Sequence, residues 1–167
     1  MSDVLLFDLE TSGLLPLEDR ITCISAKVFG KSEVVSFSGD FEAKILGDFS
    51  EFVSKHNVTR LVAYNGWSFD VPFLRVRAMA NRVRIPSVFW REGNLTDPFH
   101  VLARSKKGKQ VEFAALVGVG TDLLFGDGKK CLDWFAKGDF ERIERHCESD
   151  IVALDAIYSR MFECGFV

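Results

Sequence analysis

The stretch VLLFDLETSGL, residues 4–14, places two acidic side chains in an otherwise apolar segment. Residues 4–9 predict a short buried strand, and residues 11–13 predict the turn that ends it. Asp8 and Glu10 are two positions apart, so on a strand both point to one face, with Cα atoms about 6.6 Å apart. Carboxylates this close repel each other unless a cation lies beside them, and their spacing suits two metal ions about 3.5–4 Å apart. The alternative is a strand end at which both acids are simply solvated.

The composition indicates one globular domain over residues 1–167, because 47% of the residues are hydrophobic and can form a sizeable core. We expect no membrane contact, since no apolar run approaches the roughly 18 residues of a span, and no secretion signal, since the first residues are acidic. Four cysteines lie far apart, without the spacing of a zinc site, which favours a reduced cytoplasmic protein.

Charge is distributed unevenly along the chain, whose formal net charge is −3. Residues 71–110 contain nine Lys or Arg and two acids, a local net charge of +7, whereas the rest of the chain carries −10. Such a block is either solvated surface or the approach for an anionic polymer. On the second interpretation, the loop at 104–109, or Arg75 and Arg77, would contact phosphates.

The remaining pattern predicts an α/β domain with a mixed sheet. Further strands are expected at 20–29, 33–37 and 60–64, and amphipathic helices at 41–56, after the loop 65–68, and near 111–117, 129–136 and 140–161.

Two more acids and a histidine stand at informative positions. Apolar residues recur at helical spacing along the predicted helix at 140–161 and form a stripe that faces the core. Asp150 lies on or beside this buried stripe. A carboxylate there needs hydrogen bonds or a cation. His146, one turn earlier, faces the same side, although a lone histidine is more often a structural residue. Asp70 follows a strand and opens a helix, where it could bind a ligand or cap the helix.

Three segments together resemble the motifs of the DEDD superfamily of 3′–5′ exonucleases. Residues 7–14 (FDLETSGL), continued by 19–21 (DRI), resemble the first motif. Residues 64–74 (YNGWSFDVPFL) resemble the second, in the form found in the proofreading domains of family B DNA polymerases. Residues 146–150 (HCESD) occupy the place of the third. The motifs occur in the family order and span nearly the whole chain.

The resemblance implies an RNase H-like fold, a mixed five-stranded sheet flanked by helices. It also implies that four acids coordinate two Mg²⁺ or Mn²⁺ ions, one activating water and the other stabilising the leaving 3′ oxygen. Hard oxygen ligands suit these metals, and the absence of a Cys/His cluster argues against zinc. The implied metal ligands are Asp8, Glu10, Asp70 and Asp150; the implied contacts to the terminal nucleotide and its path are Thr11, Ser12, Leu14, Asn65 and Phe69.

The third motif departs from the family pattern at one position. One subfamily places Tyr four residues before the last Asp, and another places His five residues before it. Here His146 stands four residues before Asp150, and Arg145 stands five before it. An imidazole can take a proton from attacking water near neutral pH, so His146 is the candidate general base.

These features predict a metal-dependent 3′–5′ exonuclease that releases nucleoside monophosphates from single-stranded DNA or RNA with a free 3′ end. A polymerase or repair protein is the expected partner in trans. The alternative is a catalytically silent or structure-specific nucleic-acid-binding module on the same fold.

Overall fold

The computed structural model describes residues 3–91, 93–103, 107–120, 123–126 and 128–167. Within these ranges five strands form one sheet: β1 (Asp3–Thr11), β2 (Ile21–Val28), β3 (Val35–Ser38), β4 (Val58–Val62) and β5 (Leu95–Thr96). Their order is β3-β2-β1-β4-β5. The described part of the chain also contains six α-helices and a short 3₁₀ helix at Ser87–Phe89; the α-helices are α1 (Glu42–Lys55), α2 (Asp70–Ala80), α3 (Pro98–Ala103), α4 (Gln110–Leu116), α5 (Gly128–Ala136) and α6 (Phe140–Glu163).

The central strand β1 pairs on both sides. It runs antiparallel to β2, with Glu10 opposite Cys23, and parallel to β4, with Leu6 opposite Val62. A strand covered on both faces needs apolar residues at consecutive positions, which explains the continuous apolar run at residues 4–7. The carboxyl ends of β1 and β4 lie at the same edge of the sheet because these two strands are parallel.

Alternation along β1 separates the apolar core from the acids. Leu5, Phe7 and Leu9 belong to the large core cluster, in which the Phe7 ring contacts Phe49 and Phe89 at centroid distances of 6.0 and 5.6 Å. Leu6, Asp8 and Glu10 therefore project to the opposite face, which α6 covers. On this same face, nearer the start of β1, Leu6 packs with Val62, Leu154 and Tyr158.

Polar contacts fix the rotation of α6 across the outer strands. Lys27 Nζ lies 2.6 Å from Asp155 Oδ2, Ser36 donates to Glu148 Oε1 at 2.8 Å, and Ser38 donates to Glu144. Three contacts along one side of the helix leave the adjacent side, with His146 and Asp150, turned towards the carboxyl end of β1.

The predicted fold class is confirmed, and the long predicted elements correspond to β1, β2, α1 and α6. The irregular segment between α2 and α4 contains three short elements that no pattern predicted: the 3₁₀ helix, β5 and α3. Within the described ranges, none of the helices combines the length and apolar character that crossing a bilayer requires.

Candidate active site

A cleft of about 430 Å³ opens at the carboxyl end of β1. Its floor is built by β1, one wall by α6, and the other walls by the start of α4 and by the segment that leads into α5. Gln110 Nε2 donates to the Asp150 carbonyl at 2.6 Å and so fastens α4 to α6 at this point. The lining residues are Asp8, Leu9, Glu10, Lys109, Gln110, Val111, Gly126, Gly128, His146 and Asp150.

Asp8 and Glu10, near the carboxyl end of β1, are poorly solvated. Burial raises the pKa of Asp8 well above its ordinary value, and the nearby carboxyl groups of Asp150, Asp70 and Glu10 raise it further. Burial likewise raises the pKa of Glu10 to about 7, although the imidazole of His146 and the thiol of Cys131 oppose the shift. These carboxyl groups cannot all ionise at neutral pH without a compensating positive charge.

Asp70 is the first residue of α2, but its carboxylate does not cap that helix. Phe69 occupies the cap position without a side-chain hydrogen bond, and Asp70 Oδ1 accepts the Leu9 N–H at 3.2 Å. Burial raises the pKa of Asp70 to about 7, against the opposing hydrogen bonds from its own N–H and that of Leu9. The second motif is thereby joined to the strand that carries the first.

α6 supplies His146 and Asp150 to the same cleft. The Nδ1 atom of His146 lies 2.5 Å from the carbonyl oxygen of Phe125, which can only accept, so Nδ1 carries the proton. Its Nε2 atom lies 3.3 Å from Glu10 Oε1 and 3.6 Å from Asp150 Oδ2. Burial raises the pKa of Asp150, and His146 opposes this shift. Arg145 lies outside the cleft, with its guanidinium 4.3 Å from the centroid of the Phe125 ring.

The donor set fits a divalent cation. Carboxylate oxygens are the ligands that Mg²⁺ and Mn²⁺ prefer. Repulsion by Asp150, Asp70 and Glu10 raises the pKa of Asp8, repulsion by Asp150 raises that of Glu10, and Glu10 in turn raises that of Asp70. A cation held among these groups would relieve that repulsion.

Cysteines surround the same carboxylates, which the sequence did not indicate. Ligand atoms of Glu10, Cys131 and His146 all lie within 4.8 Å of one another, as do those of Asp8, Glu10 and Cys147. Burial and the Glu10 carboxyl group raise the pKa of the Cys131 thiol. The expectation that the chain holds no Cys/His cluster is wrong, because α5 and α6 bring together residues that lie far apart in sequence.

Asp97 is a further buried acid that sequence patterns missed, and only 3% of its surface is exposed. Its Oδ1 accepts the N–H groups of Asn65 at 2.9 Å and Phe99 at 3.0 Å, and its Oδ2 accepts that of Trp67 at 3.2 Å. Asp97 therefore shapes the loop before α2. The available signal was an acid directly after a strand, but β5 has only two residues and gives no pattern.

The predicted nucleotide contacts do not line the cleft. Among its described lining residues, none of Thr11, Ser12, Leu14, Asn65 and Phe69 is present. Thr11 Oγ1 donates to the Gly13 carbonyl at 2.6 Å, and Ser12 Oγ accepts the Arg20 N–H at 3.0 Å. Both hydroxyls thus hold the turn after β1, from which Leu14 projects with 78% of its surface exposed.

The other two predicted contacts lie before α2. Asn65 adopts a positive φ of 58°, and the Phe69 ring packs on Phe73 at a centroid distance of 5.3 Å.

Arg75 and Arg77, which were expected to contact phosphates, have partners within the fold. Arg75 donates through Nε to the Phe89 carbonyl at 2.7 Å and lies over the Trp90 ring. Arg77 is paired with the buried carboxylate of Glu42 at 2.7 Å.

In the predicted loop at 104–109, residues 104–106 lie outside the described ranges. Lys107 and Lys109 are exposed, and Lys109 lines the cleft.

Comparison with known proteins places these features in a family. A family model of the RNase H superfamily matches residues 5–162. An uncharacterized protein of Methanocaldococcus jannaschii is 26% identical over 174 residues, which cover 97% of each chain. A DNA polymerase of Archaeoglobus fulgidus is 25% identical over 155 residues, which cover 82% of this chain and 19% of the polymerase.

A solved family B DNA polymerase, from Pyrobaculum calidifontis, matches with a TM-score of 0.83 and 18% identity, over 97% of this chain and 25% of that one. This likeness shows a shared fold. The chain spans a quarter or less of the two polymerases.

Proposed function

Because this chain belongs to the RNase H superfamily, we propose that it is a metal-dependent 3′–5′ exonuclease that releases nucleoside monophosphates from single-stranded DNA or RNA. The superfamily fold supports a nuclease-type hydrolysis of phosphodiesters in general. The observation that carries the finer proposal is the cluster of poorly solvated acids in one cleft, with Asp8, Glu10 and Asp150 beside His146. The proposal treats residues 1–167 as one exonuclease domain.

The metal proposed for this cleft is Mg²⁺ or Mn²⁺, held as a pair of ions by Asp8, Glu10, Asp70 and Asp150. When bound, such ions supply Lewis-acid activation of water and stabilisation of the charge that develops on the leaving oxygen. The carboxylates of Asp8 and Glu10 on β1 would hold the ions, and the hydrogen bond from the Leu9 N–H keeps Asp70 beside this strand.

His146 is proposed as the general base. Its Nδ1–H is held by the Phe125 carbonyl, so the lone pair of the neutral ring is on Nε2, which faces the cleft. Nε2 can take the proton of the attacking water, and the carboxylates of Glu10 and Asp150 would then stabilise the imidazolium.

The turn after β1 is proposed to receive the terminal nucleotide. Thr11 and Ser12 keep the turn in shape, and the exposed side chain of Leu14 offers an apolar surface to a base. Asn65 and Phe69 would line the path of the chain. In the matching polymerases the corresponding segment is part of a much longer chain, and we propose a polymerase or repair protein as a partner in trans.

End-labelled single strands test the proposed activity. With Mg²⁺, a 3′ label should appear at once as a mononucleotide, while a 5′ label should yield a ladder that shortens with time. Asp8→Asn and Asp150→Asn should abolish both products, whereas Asp48→Asn, at a partly exposed position on α1, should not.

Two results would overturn the proposal. Strand binding without any Mg²⁺- or Mn²⁺-dependent product would indicate a silent binding module. Internal fragments that precede mononucleotides would indicate an endonuclease.

A further inference from the structure

Two residues of the cleft, Glu10 and His146, also belong to a second set of possible metal ligands, whose third member is Cys131. One carboxylate oxygen of Glu10, the Sγ atom of Cys131 and a ring nitrogen of His146 all lie within 4.8 Å of one another. β1, α5 and α6 contribute one residue each, and all three residues are buried. Oxygen, sulfur and imidazole nitrogen from three packed elements form a site whose chemistry differs from that of four acids.

We propose that Glu10, Cys131 and His146 bind Zn²⁺, and that this ion inhibits the nuclease by withdrawing Glu10 and His146 from the acidic site. Carboxylate, thiolate and imidazole are all ordinary zinc ligands, and three protein ligands leave a fourth position open to the cleft. Around a tetrahedral zinc ion the ligand atoms lie about 3.3–3.8 Å apart, so small side-chain movements close the site.

The orientation of His146 supports zinc coordination independently of the cluster. Metal-binding histidines usually donate their second ring N–H to a carbonyl or carboxylate, which fixes the ring. In this chain Nδ1–H donates to the Phe125 carbonyl, and Nε2 lies 3.3 Å from Glu10 Oε1. The ring is therefore held with its free nitrogen towards the Glu10 carboxylate. When the Sγ–zinc bond forms, the thiol proton of Cys131 leaves to solvent.

Cys147 is the less suitable thiol, although it also approaches Glu10. Its Sγ atom lies next to Asp8, 3.5 Å from the Asp8 carbonyl oxygen and 3.6 Å from Asp8 Oδ2. The set with Cys147 contains two carboxylates and no imidazole, whereas the set with Cys131 offers both sulfur and nitrogen. Softer ligands favour zinc over magnesium.

The inhibitory part of this inference rests on the proposed nuclease activity, whereas the binding part does not. A zinc ion on Glu10 removes a carboxylate from the Mg²⁺ or Mn²⁺ ligands. It also occupies the lone pair of His146 Nε2, which is the proposed proton acceptor.

Binding is tested with Co²⁺ as a spectroscopic substitute for Zn²⁺, added to the whole chain in excess Mg²⁺. A thiolate-to-Co²⁺ charge-transfer band should develop at one equivalent and disappear when Zn²⁺ is added. Cys131→Ser and Cys131→Ala should remove the band while circular dichroism and thermal melting show a folded protein. Cys164→Ser, at the exposed cysteine, is the matched control and should keep it.

Inhibition is tested by titrating Zn²⁺ against each variant, with rates normalised to that variant's own activity in Mg²⁺. Loss of the Cys131 thiol should raise the inhibitory Zn²⁺ concentration by at least the roughly 10–100-fold that loss of an outer partner of a metal ligand costs. No Co²⁺–thiolate band in the folded wild-type chain overturns the proposal. So does a band that persists in Cys131→Ala and is lost in Cys147→Ala. A band in a chain that degrades no nucleic acid would refute the proposed function and leave the zinc site standing.

Discussion

At the scale of single residues, the carboxyl groups of the cleft determine how stability responds to pH when metal is removed. Burial raises the pKa of Glu10 and of Asp70 to about 7, whereas carboxyl groups of an unfolded chain titrate near pH ~4. Between these values the folded state binds more protons than the unfolded state, so stability falls as pH rises through this window.

In EDTA we therefore expect a lower melting temperature at pH 8 than at pH 5.5. Mg²⁺ should raise the melting temperature at pH 8, because the cation replaces the lost protons. Asp70→Asn keeps the acceptor for the Leu9 N–H but removes one titrating carboxyl group, so its melting temperature should depend less on pH. Each kcal/mol of unfolding free energy that is no longer lost at pH 8 should raise the melting temperature there by about 2–4 °C. Asp48→Asn is the matched exposed control. A melting temperature that climbs steadily from pH 5.5 to 8 in EDTA would contradict the electrostatic account.

Kinetics can distinguish whether His146 acts as a general base or only as a structural residue. As a base, His146→Ala should lower kcat by roughly 10²–10⁴ and remove the acidic limb of the pH–rate profile, with metal binding retained. If His146 only donates its structural hydrogen bond to the Phe125 carbonyl, the same change should lower the melting temperature and leave kcat of the folded fraction near normal. Comparing both quantities in His146→Ala and His146→Tyr decides the matter, and a well-folded, fully active alanine variant would end the general-base hypothesis.

Local periodicity explains which site residues could be predicted from the sequence. Asp8 and Glu10 share a strand face at a period of two, and His146 and Asp150 share a helix face at a spacing of four. Cys131 reaches Glu10 only because α5 packs against α6 and β1. No local rule carries that information, so the mixed ligand set emerges only from the tertiary structure.

At the scale of elements, one buried ion pair joins α1, α2 and the turn after β1. Glu42 accepts hydrogen bonds from Arg77 at 2.7 and 2.9 Å and from the Ile21 N–H at 2.7 Å, and Arg77 also donates to the Pro16 carbonyl at 3.2 Å. Burial alone would raise the pKa of Glu42, but these hydrogen bonds outweigh it and lower the pKa. The pair therefore holds the base of the proposed nucleotide-binding turn.

We expect Arg77→Met to destabilise the chain by about 3–5 kcal/mol, because it leaves the Glu42 carboxylate buried and unpaired. The double variant Glu42→Leu/Arg77→Met should recover much of this loss, since no uncompensated charge remains. Urea denaturation measures both. Lys44→Ala, which breaks the exposed pair with Asp48 on α1, should cost less than about 0.5 kcal/mol and is the control. Equal costs for the two single variants would show that the Glu42–Arg77 pair stabilises nothing beyond a surface contact.

The length of an element decided whether the sequence could predict it. α1 and α6 contain 14 and 24 residues, enough for several repeats of the apolar stripe. β5 has two residues and α3 has six, so neither completes a recognisable pattern. β5 is defined instead by its partner, since Leu95 pairs with Leu61 and Thr96 pairs with Val62 of β4. Its position at the edge of the sheet also places Asp97 behind the loop before α2.

At the scale of the whole molecule, the cleft is lined by acids, yet the proposed substrate is an anionic nucleic-acid strand that positive charge must attract. Two of the nine basic residues of segment 71–110 have partners within the fold, since Arg75 donates to a carbonyl group and Arg77 pairs with a carboxylate. Lys107 and Lys109 remain exposed beside the cleft mouth, where Tyr64 Oη donates to the Gly108 carbonyl at 2.8 Å and holds the backbone between them. Lys109 lines the cleft and Lys107 lies two residues before it, so both can meet the phosphates of a strand that enters there.

Replacing Lys107 and Lys109 together with Gln should weaken substrate binding and its dependence on salt, while the chemical step is retained. A lysine that neutralises one phosphate of a single strand contributes about 0.7 to the slope of log affinity against log salt, so the double variant should lose about 1.4. The measurement is KM for a single-stranded oligonucleotide over a series of salt concentrations. The matched control is Lys31→Gln/Lys55→Gln, which removes the same charge from exposed positions after β2 and at the end of α1, at the opposite end of the sheet from the cleft. If both double variants change the slope of log affinity against log salt equally, the oligonucleotide responds only to net charge. The lysines beside the cleft would then have no special part in guiding it.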